Sequence, residues 1–308
     1  MIRSQRHAAI LAAIIVAAIA FARPAVAADK APPSHGEIQG TLKAPVADGA
    51  KLALRFAKPL NDRMLDLADA KAKEKLNSAE IDDLIKVDVD DPADPKTVLE
   101  VKTVSRPVSV LARVLALGAA LAILLLIAAA LTGWKPQRFI IGVDERYSNS
   151  QTQLVFWFGA VASVYAAAVA LRIVILGWDY IGGVGIGENL MLLTGLSAFS
   201  FGGAKVIAAS KAAADPNATQ RSNTNSPNAL KDLVQNDDGR ADIGDLQMIL
   251  VTLAAVAIFG LSAFKSLGAL AMDAQVTLPD VDSTLLAGFG LGQGAYLVKK
   301  AALPLGTG

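Results

Sequence analysis

Asp144-Glu145-Arg146-Tyr147-Ser148-Asn149-Ser150-Gln151-Thr152-Gln153 opens one apolar run, and Asp238-Gly239-Arg240-Ala241-Asp242-Ile243-Gly244-Asp245-Leu246-Gln247 opens another. Asp, Arg and Gln hold the same places in both. After a one-residue slip, Leu190, Gly195, Leu196 and Lys205 line up with Leu285, Gly290, Leu291 and Lys300. Leu and Gly matches come cheaply in apolar sequence, whereas Arg, Gln and Lys in shared register do not. The pattern reads as a tandem duplication of a two-helix membrane hairpin, from about Asp144 to Lys205 and again from about Asp238 to Lys300.

Five apolar runs lie at about 108–132, 152–175, 189–209, 245–264 and 283–299. Each is near the roughly 20 residues an α-helix needs to cross the hydrocarbon core, the last being the shortest. Composition agrees with a membrane protein: 53% of the chain is hydrophobic and its mean hydropathy is +0.44, while a net charge of +1 points to no polyanionic partner. Lys135, Arg138, Arg146, Lys211, Arg221, Lys231, Arg240, Lys299 and Lys300 fall in alternate loops and at the C-terminal end, whereas 176–188 and 266–282 carry Asp179, Glu188, Asp273, Asp280 and Asp282 without Lys or Arg. The positive-inside rule therefore puts the C-terminus in the cytoplasm. Arg113 is discordant, near the outer end of the first span, where its side chain can snorkel. Trp134, Trp157 and Trp178 are expected at the interfaces, as aromatic belts require.

The N-terminus reads as an export signal: basic Arg3, Arg6 and His7, an apolar Ala8 to Phe21, and a small-residue site at Ala25-Val26-Ala27. It places the following segment outside, in agreement with the loop charges. After the linker Ala31-Pro32-Pro33-Ser34, Gly36 to Leu42 and Lys51 to Phe56 alternate like strands, and Thr97 to Thr103 reads as a last strand. Asp62 to Ile85 carries helix formers at helical spacing, with Asn77 and Glu80 as a variant capping box.

The expected fold is an all-α membrane bundle of five transmembrane helices with two parallel-repeat hairpins, plus a small mixed or β-rich exported N-terminal domain. Its segments are a signal peptide (1–28), an exported soluble domain (29–106), an anchor helix (107–134), hairpin repeat 1 (135–209), a flexible cytoplasmic linker (210–244) and hairpin repeat 2 (245–308). Because both hairpins enter and leave on the same side, the repeats are parallel rather than inverted.

Chemistry is mostly excluded. The two histidines, His7 and His35, lie before the first span, and there is no cysteine, so histidine bases, thiolates and disulfides are absent from the apolar part. The middles of spans two to five lack Asp, Glu, Lys and Arg, unlike proton relays and coupled transporters. Gly182, Gly183, Gly185 and Gly187 have no basic partner for a phosphate loop. The acidic run Asp88, Asp90, Asp91 and Asp94 reads as a solvated turn ahead of a Ca²⁺ site, and Asn236-Asp237-Asp238-Gly239 with Asp242 and Asp245 fits a calcium loop only in part. No catalytic residue, cofactor or metal is expected.

The candidates left for helix packing or pore lining are Gln153, Thr194, Ser197, Gln247, Thr252, Gly288, Gly292 and Gln293. Ser150 with Gln153, and Gly244 with Gln247, are spaced to open helices at the cytoplasmic interface or to touch a partner helix or lipid. Gly288, Gly290, Gly292 and Gly294 allow close backbone approach between helices. Lys205 and Lys300 mark cytoplasmic helix ends or hold lipid head groups.

Tyr147 to Leu154, running on to Trp157, and Leu278 to Leu286, running on to Gly290 and Tyr296, resemble a motif of uncharacterised bacterial multi-pass membrane proteins. The resemblance covers about 130–300 and departs at Gly292, where a Ser is usual, and at Val251, where an aromatic is missing. It implies architecture and no activity. The expectation is a non-enzymatic assembly or interaction subunit of the bacterial inner membrane, its N-terminal domain periplasmic. Its partners would be membrane lipids and either another protein or further copies of itself, without nucleic acid; a homo-oligomeric ion channel is the alternative.

Overall fold

The computed structural model describes residues 36–44, 51–57, 60–68, 70–142, 147–214, 228–234 and 242–302. The signal segment, most of the linker, the run Asn236–Gly239 and the repeat positions Asp144, Arg146, Asp238 and Arg240 lie outside the described residues.

The N-terminal part is a closed five-stranded barrel. Strands β1 (Gly36–Leu42), β2 (Lys51–Ala57), β3 (Leu60–Leu67), β4 (Leu84–Val89) and β5 (Thr97–Pro107) run in the order β3-β2-β1-β4-β5, and β3 pairs in parallel with β5 through Asp66↔Thr97 and Leu67↔Val98 to close it. The other pairings are antiparallel. With the short helix α1 (Ala70–Leu76) between β3 and β4, this is the strand arrangement of OB-type barrels.

Alternation makes the barrel. In β4, Ile85, Val87 and Val89 point inward while Lys86 and Asp88 face out, and Leu42, Leu52, Leu54, Leu65, Val98 and Val101 complete an apolar interior. Ala72 and Leu76 of α1 pack against that interior. Asp90 accepts from the amides of Asp91, Lys96 and Thr97, which holds its carboxyl below the usual range and shapes the β4–β5 turn. The acidic run is thus a hydrogen-bonded turn. Among the described residues no group of acidic or histidine side chains could hold a metal.

The C-terminal part is helical: α2 (Val110–Leu131), α3 (Asn149–Leu176), α4 (Glu188–Ala214), the single turn α5 (Ala229–Asp232), α6 (Ile243–Ser266) and α7 (Ser283–Ala302). Helix α3 packs on α4 and α6, and α7 packs on the same two, so the four close into a ring around one core. Helix α2 lies outside the ring against α3, with Leu111, Leu115, Ile123, Leu126 and Leu131 exposed. Such an apolar surface suits lipid. Short strands β6 (Val184–Gly185), β7 (Ala269–Ala271) and β8 (Val276–Thr277) fill the two loops at the barrel end.

This overturns the all-α expectation in two respects. A closed barrel is a full structural unit of the chain and pairs directly with the helical part. Four helices, α2, α3, α4 and α6, are long and apolar enough to cross a membrane among the described residues, rather than five. Helix α7 is not one of them because Gly288, Gly290, Gly292, Gly294 and Gln293 replace the aliphatic residues that supply hydropathy. Within the barrel, β1, β2 and β5 occupy the expected ranges, but Asp62 to Ile85 is not one helical stretch. It holds most of β3, then α1 and the start of β4. Asn77 and Glu80 form no capping box: they follow α1 in a turn where the Glu80 amide donates to Asp83.

Gly183 sits at φ +75, and a Cβ there would lie 1.8 Å from the Ala274 carbonyl oxygen. The parallel pairing of β6 with β8 needs that approach. Gly183→Ala is expected to lower the thermal midpoint in detergent by several degrees, a cost of at least about 1–2 kcal/mol. Gly182→Ala, with nothing within 4 Å, should leave it unchanged.

Candidate functional site

Two arrangements concentrate polar groups where an apolar fold would not put them. The first is the seam between barrel and helices. Strand β7 joins β5 in antiparallel register, Ser105↔Ala271, Arg106↔Leu270 and Pro107↔Ala269, flanked by Val108 N–H to Gly268 O at 2.9 Å and Met272 N–H to Val104 O at 2.8 Å. The first residues of β5 hold β3, and its last hold β7.

Arg172 fixes β7 from below. It lies in the last turns of α3, is 1% exposed, and donates from Nε to Tyr180 O at 3.1 Å, from Nη1 to Ala271 O at 2.9 Å and from Nη2 to Asp273 O at 2.9 Å. Among the described residues no carboxylate pairs with it. Its partners are backbone carbonyls from both loops, and the negative end of the α3 dipole adds to them. A fixed fork of donors suits this task, which a single ammonium does not match. Arg113 of α2 works alongside, donating to Phe264 O at 3.0 Å with its guanidinium 4.5 Å from the Phe264 ring centroid. Asp280 binds the loops together, accepting from Leu190 N–H at 2.8 Å and Asn189 N–H at 3.3 Å at the start of α4. On the barrel side, Arg106 pairs with buried Asp83 at 3.2 Å through both oxygens, and that carboxylate raises its pKa further.

The second arrangement is inside the ring. Trp157 of α3 is fully buried, its ring 5.6 Å from Phe259 of α6 and 6.4 Å from Phe289 of α7, and its Nε1 donates to Thr194 Oγ1 of α4 at 2.9 Å. All four helices meet at one indole. One to two turns further from the barrel, each helix presents polar residues inward: Gln153, then Ser197 and Ser200, then Thr252, then Gln293.

Of the residues expected from sequence, Gln153, Ser197, Thr252 and Gln293 are buried together in this layer and Thr194 is half-buried beside it. Ser197 donates to Leu193 O at 3.0 Å and Thr252 to Met248 O at 2.8 Å, each satisfying itself on its own helix. Gln247 is exposed, so the aligned glutamines of the two hairpins do not share an environment. Gly288 is exposed and Gly292 half-exposed; a Cβ on either would meet nothing within 4 Å, so neither makes a close helix contact. The expected helix starts also differ. Ser148 is the N-cap of α3 without a side-chain cap bond, and at α6 the cap is Asp242, whose Oδ1 accepts from Gly244 and Asp245. Trp157 departs from the interface expectation because it is the hub of the bundle, while Trp134 and Trp178 are each 74% exposed near helix ends.

From sequence Arg172 and Thr152 had no site role, Ser200 counted only as a small residue of its span, and Asp280 only as a loop charge. Arg172 was visible as a cation in the last turns of an apolar helix, a position a lipid-facing side chain does not hold cheaply.

Replacing Arg172 with Met should strand the three carbonyls it serves, costing about 3 kcal/mol or more at ~1–3 kcal/mol per buried unmet group. The expected readouts are a lower thermal midpoint and new protease cleavage within 268–280. Arg172→Lys should recover part of the loss. Comparison outward adds nothing to the site: no family model, curated protein or solved structure matches the chain.

Proposed function

We propose that this chain is a non-enzymatic assembly or interaction subunit of the bacterial inner membrane, with its barrel held on the periplasmic side and its C-terminus in the cytoplasm. The observation that carries the reading is the β5–β7 pairing: the barrel is not tethered by a linker but continues into the helical bundle through a shared sheet. A module built this way presents a surface in a fixed orientation to the membrane, which suits docking more than turnover. In support, the loops beside the barrel, 177–187 and 267–282, carry no Lys or Arg, while Lys135, Arg138 and Lys205 lie toward the opposite end. Helix α7, packed on α4 and α6, runs from the loop beside the barrel back to the opposite end of the ring, the end this reading assigns to the cytoplasm.

The two hairpins serve in this reading as related units joined by the linker. Lipid meets α2 and the outer faces of the ring, and the partner is another protein or a second copy of the chain. A pore between subunits fits less well. Ser197, Thr252 and Gln293 face the inside of a single protomer whose centre is filled by Trp157, Phe259 and Phe289, so they do not line a surface shared by copies.

Because the chain has no cysteine, single-cysteine variants report on one site each. Asp273→Cys is expected to react with a membrane-impermeant thiol reagent in intact spheroplasts, and Lys135→Cys only after lysis; the reverse pattern would refute the orientation. The mass of the complex extracted gently from native membranes should exceed one chain. Met64→Arg, on the exposed face of β3, should reduce that mass without changing the thermal midpoint. Monomers alone from the unaltered protein would refute the assembly role.

A further inference from the structure

We infer that the ring of α3, α4, α6 and α7 encloses ordered water between the Trp157 layer and the end of the bundle away from the barrel. The evidence is a set of buried polar atoms without partners among the described residues: Thr152 Oγ1, Gln153 Nε2, Ser200 Oγ and Gln293 Oε1, with Asn149 Oδ1 nearer the helix end. Thr152, Gln153 and Ser200 are each 1% exposed and Gln293 is 2% exposed. They come from three helices that face one another across the ring. Buried polar groups are almost always hydrogen-bonded, and where protein supplies no partner an internal water does.

The chemistry of the set names its ligand. Gln153 offers a donor, Gln293 and Asn149 offer acceptors, and two hydroxyls serve as either. No charged side chain stands among them, so the set offers no charge to balance an ion's. A neutral molecule that both donates and accepts fits all five, and water is the one small enough to sit between packed helices. From Asn149 to Trp157 the rise along α3 is about 12 Å, enough for several waters in succession.

The hydrated stretch ends at the aromatic layer. The Trp157 indole spends its N–H on Thr194, and beyond it the interior turns apolar at Val164, Ala167, Ala168, Leu171 and Ala263. Toward the far end Ala204, Ile207 and Leu297 form a second buried apolar cluster, so the water is enclosed between that cluster and the aromatic layer. That enclosure is separate from any role of the barrel and stands or falls without it.

Radiolytic hydroxyl-radical labelling of the full chain in lipid nanodiscs tests this, because bound water generates the radical in place. Trp157 and Met248 are buried beside the polar layer; Trp134 and Met64 are exposed references of the same types. The expected result is labelling of Trp157 and Met248 within about ten-fold of those references, despite burial. Labelling about a hundred-fold slower at both would overturn the inference. In Gln153→Leu/Gln293→Leu the labelling of Trp157 should fall several-fold while that of Trp134 holds. Unchanged labelling of Trp157 in that variant would show that these side chains hold no water. If the variant does not fold, the comparison within the unaltered chain still decides.

Discussion

Backbone hydrogen bonds between residues 104–108, the end of β5 and the residue after it, and the segment 268–272 hold this molecule together. A strand end at the rim of a barrel leaves unpaired amides and carbonyls that must find partners in water, in protein or in another chain. Here they find them in the loop between the last two helices. The rest follows from that choice. The loop must be held at a fixed height, which Arg172 does through Ala271 and Asp273, and it must be registered against the neighbouring loop, which Asp280 and the β6–β8 pair do. Barrel and membrane helices thus behave as a single body at their seam.

Below the seam the bundle reverses the logic of a water-soluble core. On α2, α3 and α4 large apolar residues face outward as well as inward, so apolarity does not say which face is inside. What marks the inner face is polarity: Gln153, Ser163, Ser197, Ser200, Thr252 and Gln293 are all turned away from lipid. Ser163, Ser197 and Thr252 turn back onto carbonyls of their own helices, while the amides and Ser200 do not. The aromatic contact of Trp157, Phe259 and Phe289 lies directly above, joining three helices by packing and the fourth by one hydrogen bond.

Legibility in the sequence followed the physics of each part. Strands β1, β2 and β5 alternate cleanly and were readable. Strand β3 was not, because Arg63 takes an intermediate position toward Asp94, so that among its described side chains Leu65 and Leu67 are the buried pair. Closure by β3 and β5 depends on a parallel contact of two residue pairs, which leaves no periodic trace. In the membrane part the runs of apolar residues gave four helices plainly. Arg172, Arg113 and Asp280 were hidden because their partners are backbone carbonyls and amides, which sequence does not label. Polar candidates inside the ring were readable as types and not as faces: Gln153 and Gln247 align, yet α6 turns Met248, Thr252, Phe259 and Ala263 inward and leaves Gln247 out.

The β5–β7 pairing also sets an order of events during synthesis. Ser105 and Ala271 are neighbours in space but far apart along the chain, so the barrel emerges and closes through β3 long before its last edge has a partner. Until α6 has crossed and its loop has arrived, the C-terminal end of β5 is an open strand edge beside a membrane, a site where another chain could pair. Pairings this distant form slowly because loop closure precedes any gain from the contact. The nascent protein therefore passes through a stage with a finished barrel and an unfinished seam.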